Sequence, residues 1–305
     1  MSDLREMDHL RAIAWAGRGA TNLQAGCLLD SRYRTYELPK RSGGVRIITA
    51  PDPRLKRLQR RLLVGAFEAV PLHDAVHGFR SGRSIATNAA RHVGQRLVVN
   101  VDIAGFFPNT KFQQVLSACK RVDGGRLSPY AARLLAEICC YAGALPTGAP
   151  TSPAVANIVL RPADTAIANA AATHGISYTR YADDLTFSGE GDAKRIIPFV
   201  RRVLAQAGYR LDQRKTQLYR RGRQQLVTNL VVNERVNLRR SDRRRLRAAV
   251  HHRCVGRPAE WHGRAMDDHA LEGRIALLAM VDRKEADLLL ARLRSQASGW
   301  RSRDA

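Results

Sequence analysis

The chain has 305 residues, enough to bury a sizeable core as one large or two modest domains. Its 51 Lys and Arg against 27 Asp and Glu leave a net charge of +24, an excess that strains a compact chain unless an anionic partner screens it, so nucleic acid is the expected partner. No apolar run approaches the ~20 residues that cross a bilayer, and the charged start MSDLREMDHL lacks the greasy centre of a signal peptide, which predicts a cytoplasmic protein with no membrane partner.

Residues 4–17 place Leu4, Met7, Leu10, Ala14 and Trp15 at helical spacing and predict a small N-terminal cap over about 1–20. Residues 33–50 read as a hairpin, with strands at 33–38 and 45–50 and a turn on Pro39, Ser42, Gly43 and Gly44. Lys40 and Arg41 stand at its tip and Arg46 on its return strand. Residues 53–69 alternate apolar and basic at helical spacing, one face for a core and one for solvent or phosphate. In HGFRSGRSIATNAARHVG, residues 77–94, Gly78 and Gly82 lie among Arg80, Arg83 and Arg91. Small residues let a backbone approach a ligand closely while guanidinium groups reach phosphates.

Residues 97–103, LVVNVDI, alternate so that Leu97, Val99, Val101 and Ile103 share one face and Val98, Asn100 and Asp102 the other. A carboxylate ending such a strand needs a partner or a metal. Tandem Phe106 and Phe107 follow, then a helix over 110–121 and another from Ser128 and Pro129 to Gly143. LPTGAPTSPAVANIVL, residues 145–160, joins a Pro and Gly loop to a slim helix capped by Thr151 or Ser152 and opened by Pro153. Five cysteines, an odd count without C-x-x-C, read as reduced thiols.

ISYTRYADDLTFSG, residues 176–189, reads as two strands about a turn at Ala182, Asp183 and Asp184. An isolated Asp pair is ordinarily a solvated turn, since Asp favours turns for local reasons. With Asp102 brought beside it, three carboxylates could hold two divalent cations, the arrangement that activates an attacking hydroxyl and stabilises a leaving phosphate. A helix over 193–207 ending at Gly208, a basic loop with Lys215, and a hairpin over 224–238 turning at Asn233 and Glu234 come next. From Arg239 to Arg257 eight arginines crowd a helical stretch, and helices over 267–281 and 284–296 close the chain.

NVDIAGFFPN, LPTGAPTSP and YADDLTFSG, in that order, resemble motifs A, B and C of reverse transcriptases of the bacterial retron type, and the resemblance runs from about residue 33 to about 281. It implies an α+β right-hand polymerase with fingers, an antiparallel-sheet palm and a helical thumb, divided as 1–235 for fingers and palm and 236–305 for a basic thumb. By the same resemblance Asp102, Asp183 and Asp184, with the Ile103 carbonyl, hold two Mg²⁺. Lys215 is the motif D lysine, a general acid toward pyrophosphate. Lys40 and Arg46 close on the triphosphate of a dNTP, and Phe107, beside Phe106, excludes a 2′-hydroxyl. Thr147 and Gly148 border the nucleotide, although many relatives have Gln where Thr147 stands. Tyr181, Pro150 and Arg80 contact primer and template.

Asn88, Ala89 and His92 resemble the retron N-A-x-x-H signature, and Val227 and Thr228 begin a V-T-G triplet tied to RNA recognition, in which Asn229 replaces Gly. The implied partners are a structured noncoding RNA that is template and primer, its cDNA, dNTPs and an accessory effector protein, in a system of phage defence. Two readings stay open beside this one. The first is a reverse transcriptase of intron, diversity-generating or CRISPR-associated type. The second is a noncatalytic RNA-binding scaffold, against which the intact acidic residues argue.

Overall fold

The computed structural model describes residues 29–39 and 43–301, with side chains to 295. The expected N-terminal cap, Cys27, Lys40 and Arg41 lie outside the described residues.

The chain enters through a hairpin of β1 (Tyr33–Pro39) and β2 (Val45–Pro51), paired antiparallel from Tyr33 with Pro51 to Pro39 with Val45. Helix α1 (Pro53–Leu62) follows, its first turn capped by the Asp52 side chain, and runs into a π-helical turn at Leu63–Phe67. Ser84 caps α2 (Ile85–Ala90) in a reciprocal box with Thr87. Then come β3 (Leu97–Asp102), a single turn α3 (Phe106–Asn109), and α4 (Phe112–Cys119). Helix α5 (Pro129–Cys139) is capped by Ser128. It ends four residues before the Gly143 expected to stop it, because the chain turns into an extended conformation at Cys140. Helix α6 (Ser152–Thr173) instead runs well past residue 160, carrying Pro162 in its interior on an exposed face.

Strands β4 (Ser177–Tyr181) and β5 (Asp184–Gly189), helix α7 (Ile197–Gln206) and strand β6 (Gln217–Arg220) complete a four-stranded antiparallel sheet in the order β4-β5-β3-β6. The predicted alternation along β3 holds. Val99, Val101 and Ile103 enter the main core with Leu185 and Phe187 of β5 and the apolar faces of α4 to α7. Val98, Asn100 and Asp102 line the opposite face. The same parity along β5 puts Asp184, Thr186 and Ser188 there.

The hairpin expected over 224–238 is two successive reversals. Strands β7 (Leu226–Val227) and β8 (Leu230–Val231) turn at Thr228 and Asn229, both left-handed with φ 46° and 65°. The chain bends again after Val231, where Asn233 accepts from the Gln225 amide and donates to the Arg223 carbonyl. The arginine-rich stretch forms α8 (Arg240–Cys254). A ribbon of β9 (Ala259–Trp261) and β10 (Arg264–Met266) leads to α9 (Asp268–Ala279) and α10 (Arg283–Arg301). A second core joins α8, α9 and α10 through Leu246, Leu271, Leu278 and Leu289, and it also takes in Ala89 of α2, Val98 of β3 and Val227 and Leu230 of the hairpin. This second core ties the last three helices to α2, to the β7–β8 hairpin and to Val98 on the polar face of the sheet.

Candidate active site

The antiparallel register of β3 and β5 sets Asp102 directly opposite Asp184. Asp183 occupies the turn just before β5, and its carbonyl accepts from the Ile103 amide at 2.9 Å, stitching that turn to the end of β3. Asp102 thus meets the sequence-distant pair Asp183 and Asp184 at one sheet end, as the alternation along β3 and the Asp pair predict. Burial pushes the Asp102 carboxyl up, and Asp183 adds to it, against the pull of Lys215. Asp184, desolvated where it turns toward the other two and repelled by Asp183 and Asp102, is pushed up to about 7, although its strand-end position leaves part of its surface open to solvent.

Lys215 Nζ lies 2.7 Å from Asp102 Oδ1. Partial burial works against its charged form, yet the Asp102 contact wins and raises its pKa. In this arrangement Lys215 pairs with Asp102 as its counter-charge.

Among the described residues no three His, Cys, Asp or Glu side chains close around one point as metal ligands do. The donor set nevertheless fits a hard divalent cation: three carboxylates concentrate negative charge beside Lys215, and the Ile103 carbonyl beside them accepts no hydrogen bond among the described residues.

Aromatic rings flank the carboxylates. Phe106 is buried against Tyr209 and Phe107, with ring centroids 6.1 and 5.1 Å away, so it is a core residue that backs Phe107. Phe107 faces Phe79 at 6.4 Å, and Phe79 faces Tyr181 at the same separation. Phe79 is half exposed with a left-handed φ of 56°. Nothing in the sequence singled it out, and its one signal was the flanking glycine at 78. On the polar face of the sheet a cavity of about 240 Å³ opens beside Asp102, Asp184 and Lys215, bordered by Thr228, Asn229 and Arg239.

The 147–150 loop is fastened to the entry hairpin. Thr147 Oγ1 donates to the Ile47 carbonyl at 2.8 Å and accepts from the Thr49 amide at 3.2 Å, and the Gly148 amide donates to the Thr49 carbonyl at 3.0 Å. A Cβ on Gly148 would come within 2.7 Å of that carbonyl, so only glycine lets the loop run this close. With its hydroxyl so used, Thr147 holds backbone. Pro150 is half-buried and Arg46 exposed on β2. Arg80 is anchored by the His73 carbonyl at 3.1 Å.

The residues singled out for RNA recognition sit mostly inside. His92 is fully buried between Ser188 Oγ and Thr179 Oγ1, each 2.7 Å from a ring nitrogen, and burial lowers its pKa to about 3. Asn88 and Val227 are also buried, while Thr228 Oγ1 donates to the Ile85 carbonyl at 3.2 Å. Asn88, His92 and Val227 can reach an RNA only by shaping the α2 and β7–β8 surface above them, whereas Thr228 is half-buried and Asn229 exposed at the border of the cavity. Asn229 is the residue after Gly best suited to its left-handed turn position, so its departure from the triplet leaves the turn intact.

A family model described as reverse transcriptase (RNA-dependent DNA polymerase) matches residues 38–245. Two relatives from Myxococcus xanthus, the retron Mx65 and Mx162 reverse transcriptases, are 38% identical over 279 residues and 35% identical over 300, covering 85% and 86% of this chain. The retron Ec86 reverse transcriptase of Escherichia coli is 32% identical over 237 residues, covering 76% of this chain and 73% of its own length. The chain belongs to the reverse transcriptase family, in its retron branch. It spans 64% and 60% of the length of the two Myxococcus relatives.

The fold is accordingly the α+β right hand expected from the motifs, with the four-stranded antiparallel sheet as its palm. Among the described residues no helix is long and apolar enough to cross a membrane. Cys119, Cys139 and Cys140 are free and buried, and Cys254 is free and half-buried.

Proposed function

We propose that the chain is a Mg²⁺-dependent RNA-directed DNA polymerase that copies a structured noncoding RNA into RNA-linked single-stranded DNA. The observation that carries this reading is the convergence of Asp102, Asp183 and Asp184 at the end of β3 and β5, facing an open cavity in a chain of net charge +24. The three carboxylates, with the Ile103 carbonyl, would hold two Mg²⁺, which lower the pKa of a primer hydroxyl and offset the charge of the reacting phosphate. Lys215, paired with Asp102, serves as general acid toward the leaving pyrophosphate. Arg46, with Lys40, meets the triphosphate of a dNTP; Phe107, backed by Phe106, rejects a 2′-hydroxyl; Gly148 borders the nucleotide on a loop that Thr147 fixes to the fingers. Tyr181, Pro150 and Arg80 support primer and template.

On this reading residues 1–235 form fingers and palm and 236–305 the thumb, with the second core joining them across that division. The α2 and β7–β8 surface shaped by Asn88, His92, Val227, Thr228 and Asn229 reads the cognate RNA. The enzyme works in the cytoplasm, with an accessory effector, in defence against phage. Sequencing nucleic acid copurified with the protein tests the proposal. An RNA joined to a short DNA through a branch is the expected result, and protein-bound RNA without any attached DNA contradicts it.

A further inference from the structure

The residue before the acidic pair, Ala182, has φ 58°, a left-handed conformation that a side chain with a Cβ adopts only where its surroundings hold it. The fully buried guanidinium of Arg180, on the core face of β4, supplies such a hold. Its Nη1 donates to the Ala182 carbonyl at 3.0 Å and to Asn157 Oδ1 at 2.9 Å. Its Nε and Nη2 make a paired contact with Asp164 Oδ1 and Oδ2 at 2.8 and 2.6 Å. Asp164 also accepts from the Tyr178 hydroxyl at 2.8 Å, so the buried carboxylate is fully engaged. Both Asn157 and Asp164 belong to α6.

The turn is confined from its other side as well. Asn157 Nδ2 donates to the Gly78 carbonyl at 2.9 Å, and a Cβ on Gly78 would fall 2.4 Å from the Ala182 nitrogen. The amides of His77 and Arg180 bond to the carbonyls of Arg180 and Ala75, both at 2.8 Å, holding that segment along β4. A buried ion pair is a weak device for stability, because desolvation offsets its attraction, but a planar guanidinium with every edge committed fixes a geometry well.

We propose that Arg180 is a positioning residue for the polymerase reaction. Anchored on α6 through Asp164 and Asn157, it holds the Ala182 carbonyl inward and so sets the direction from which Asp183 and Asp184 enter the site. The inference rests on the polymerase reading, and its test separates the two.

Arg180→Lys keeps a charge beside Asp164 but loses the fork, whereas Ala182→Gly lets the left-handed backbone stand without a hold. Arg180→Lys should lower kcat for dNTP incorporation roughly 10-fold or more while KM for dNTP stays within about twofold, since misplaced catalytic groups cost rate before binding. Amide exchange should quicken at 181–185, and adding Ala182→Gly should restore most of the lost kcat. A wild-type kcat in folded Arg180→Lys, or the same defect with and without Ala182→Gly, overturns the proposal. Should Arg180→Lys not fold, Asn157→Ala, which removes the Nη1 anchor but leaves the paired contact with Asp164, carries the same expectations. If the unaltered protein incorporates no dNTP, the polymerase reading fails while exchange still decides the positioning claim: faster exchange confined to 181–185 supports it and unchanged exchange overturns it.

Discussion

Lys215 shows at the scale of one residue how the site is balanced. It sits on Asp102 at 2.7 Å with more than half of its side chain exposed, so removing it should change stability little, by under about 1 kcal/mol after solvent screening. The carboxylate it steadies lies in the reacting cluster, so Lys215→Ala should lower kcat by about 10²-fold; thermal melts and steady-state kinetics together check this, and a large loss of melting temperature would assign the lysine to the fold instead. His92 behaves in the opposite way. Its folded pKa of about 3 lies below the 6.5 of an exposed histidine, so as pH falls the unfolded chain takes up the proton first. Stability present above pH 6.5 should drain away progressively between 6.5 and about 3, and the slope of melting temperature against pH should flatten in a folded His92→Asn variant. The sequence displayed His92 as part of a motif; it could not show that Ser188 and Thr179, near ninety residues away, close over both nitrogens. Arg180 was hidden for a similar reason, since it looks like one more arginine in an arginine-rich chain until Asp164 is placed against it.

Among elements, those with a strong local pattern were legible. The alternation of LVVNVDI gave β3 and the face of Asp102, and YADD gave the turn between β4 and β5, because each depends on a period of two and on turn residues close by. The hairpin near residue 230 was misread because Thr228, a β-branched residue, occupies a left-handed turn position that sequence preference argues against, held there by its bond to Ile85. Helix α6 continues past residue 160, where its sequence reading ended, because Pro162 falls on an exposed face of a helix whose other side is deep in the core. At this scale the contact between the 147–148 loop and β2 is the test of how the fingers are held. Gly148→Ala must displace the Thr49 carbonyl and shift the hairpin, so KM for dNTP should rise by about 10-fold or more while circular dichroism stays unchanged; unchanged KM would show that the loop does not position the fingers.

For the whole molecule the two apolar cores place a basic helical layer beside the polar face of the sheet, and the acidic cluster lies where these meet. Composition announced the charge but not its placement, which depends on Val98 and Ala89 joining the second core from elements far away in sequence. If the surface tracks a nucleic-acid backbone through ~6 to 10 phosphates, affinity for RNA should fall by roughly 10³ to 10⁵ between 50 and 200 mM salt, read by filter binding; a flat profile would rule that mode out. The central claim is that Asp102, Asp183 and Asp184 perform chemistry while the rest of the chain binds. Primer extension with dNTPs and Mg²⁺ by the double variant Asp183→Ala, Asp184→Ala, set beside its RNA affinity, tests this most directly. Loss of incorporation with affinity retained is the predicted result, and undiminished incorporation would contradict it.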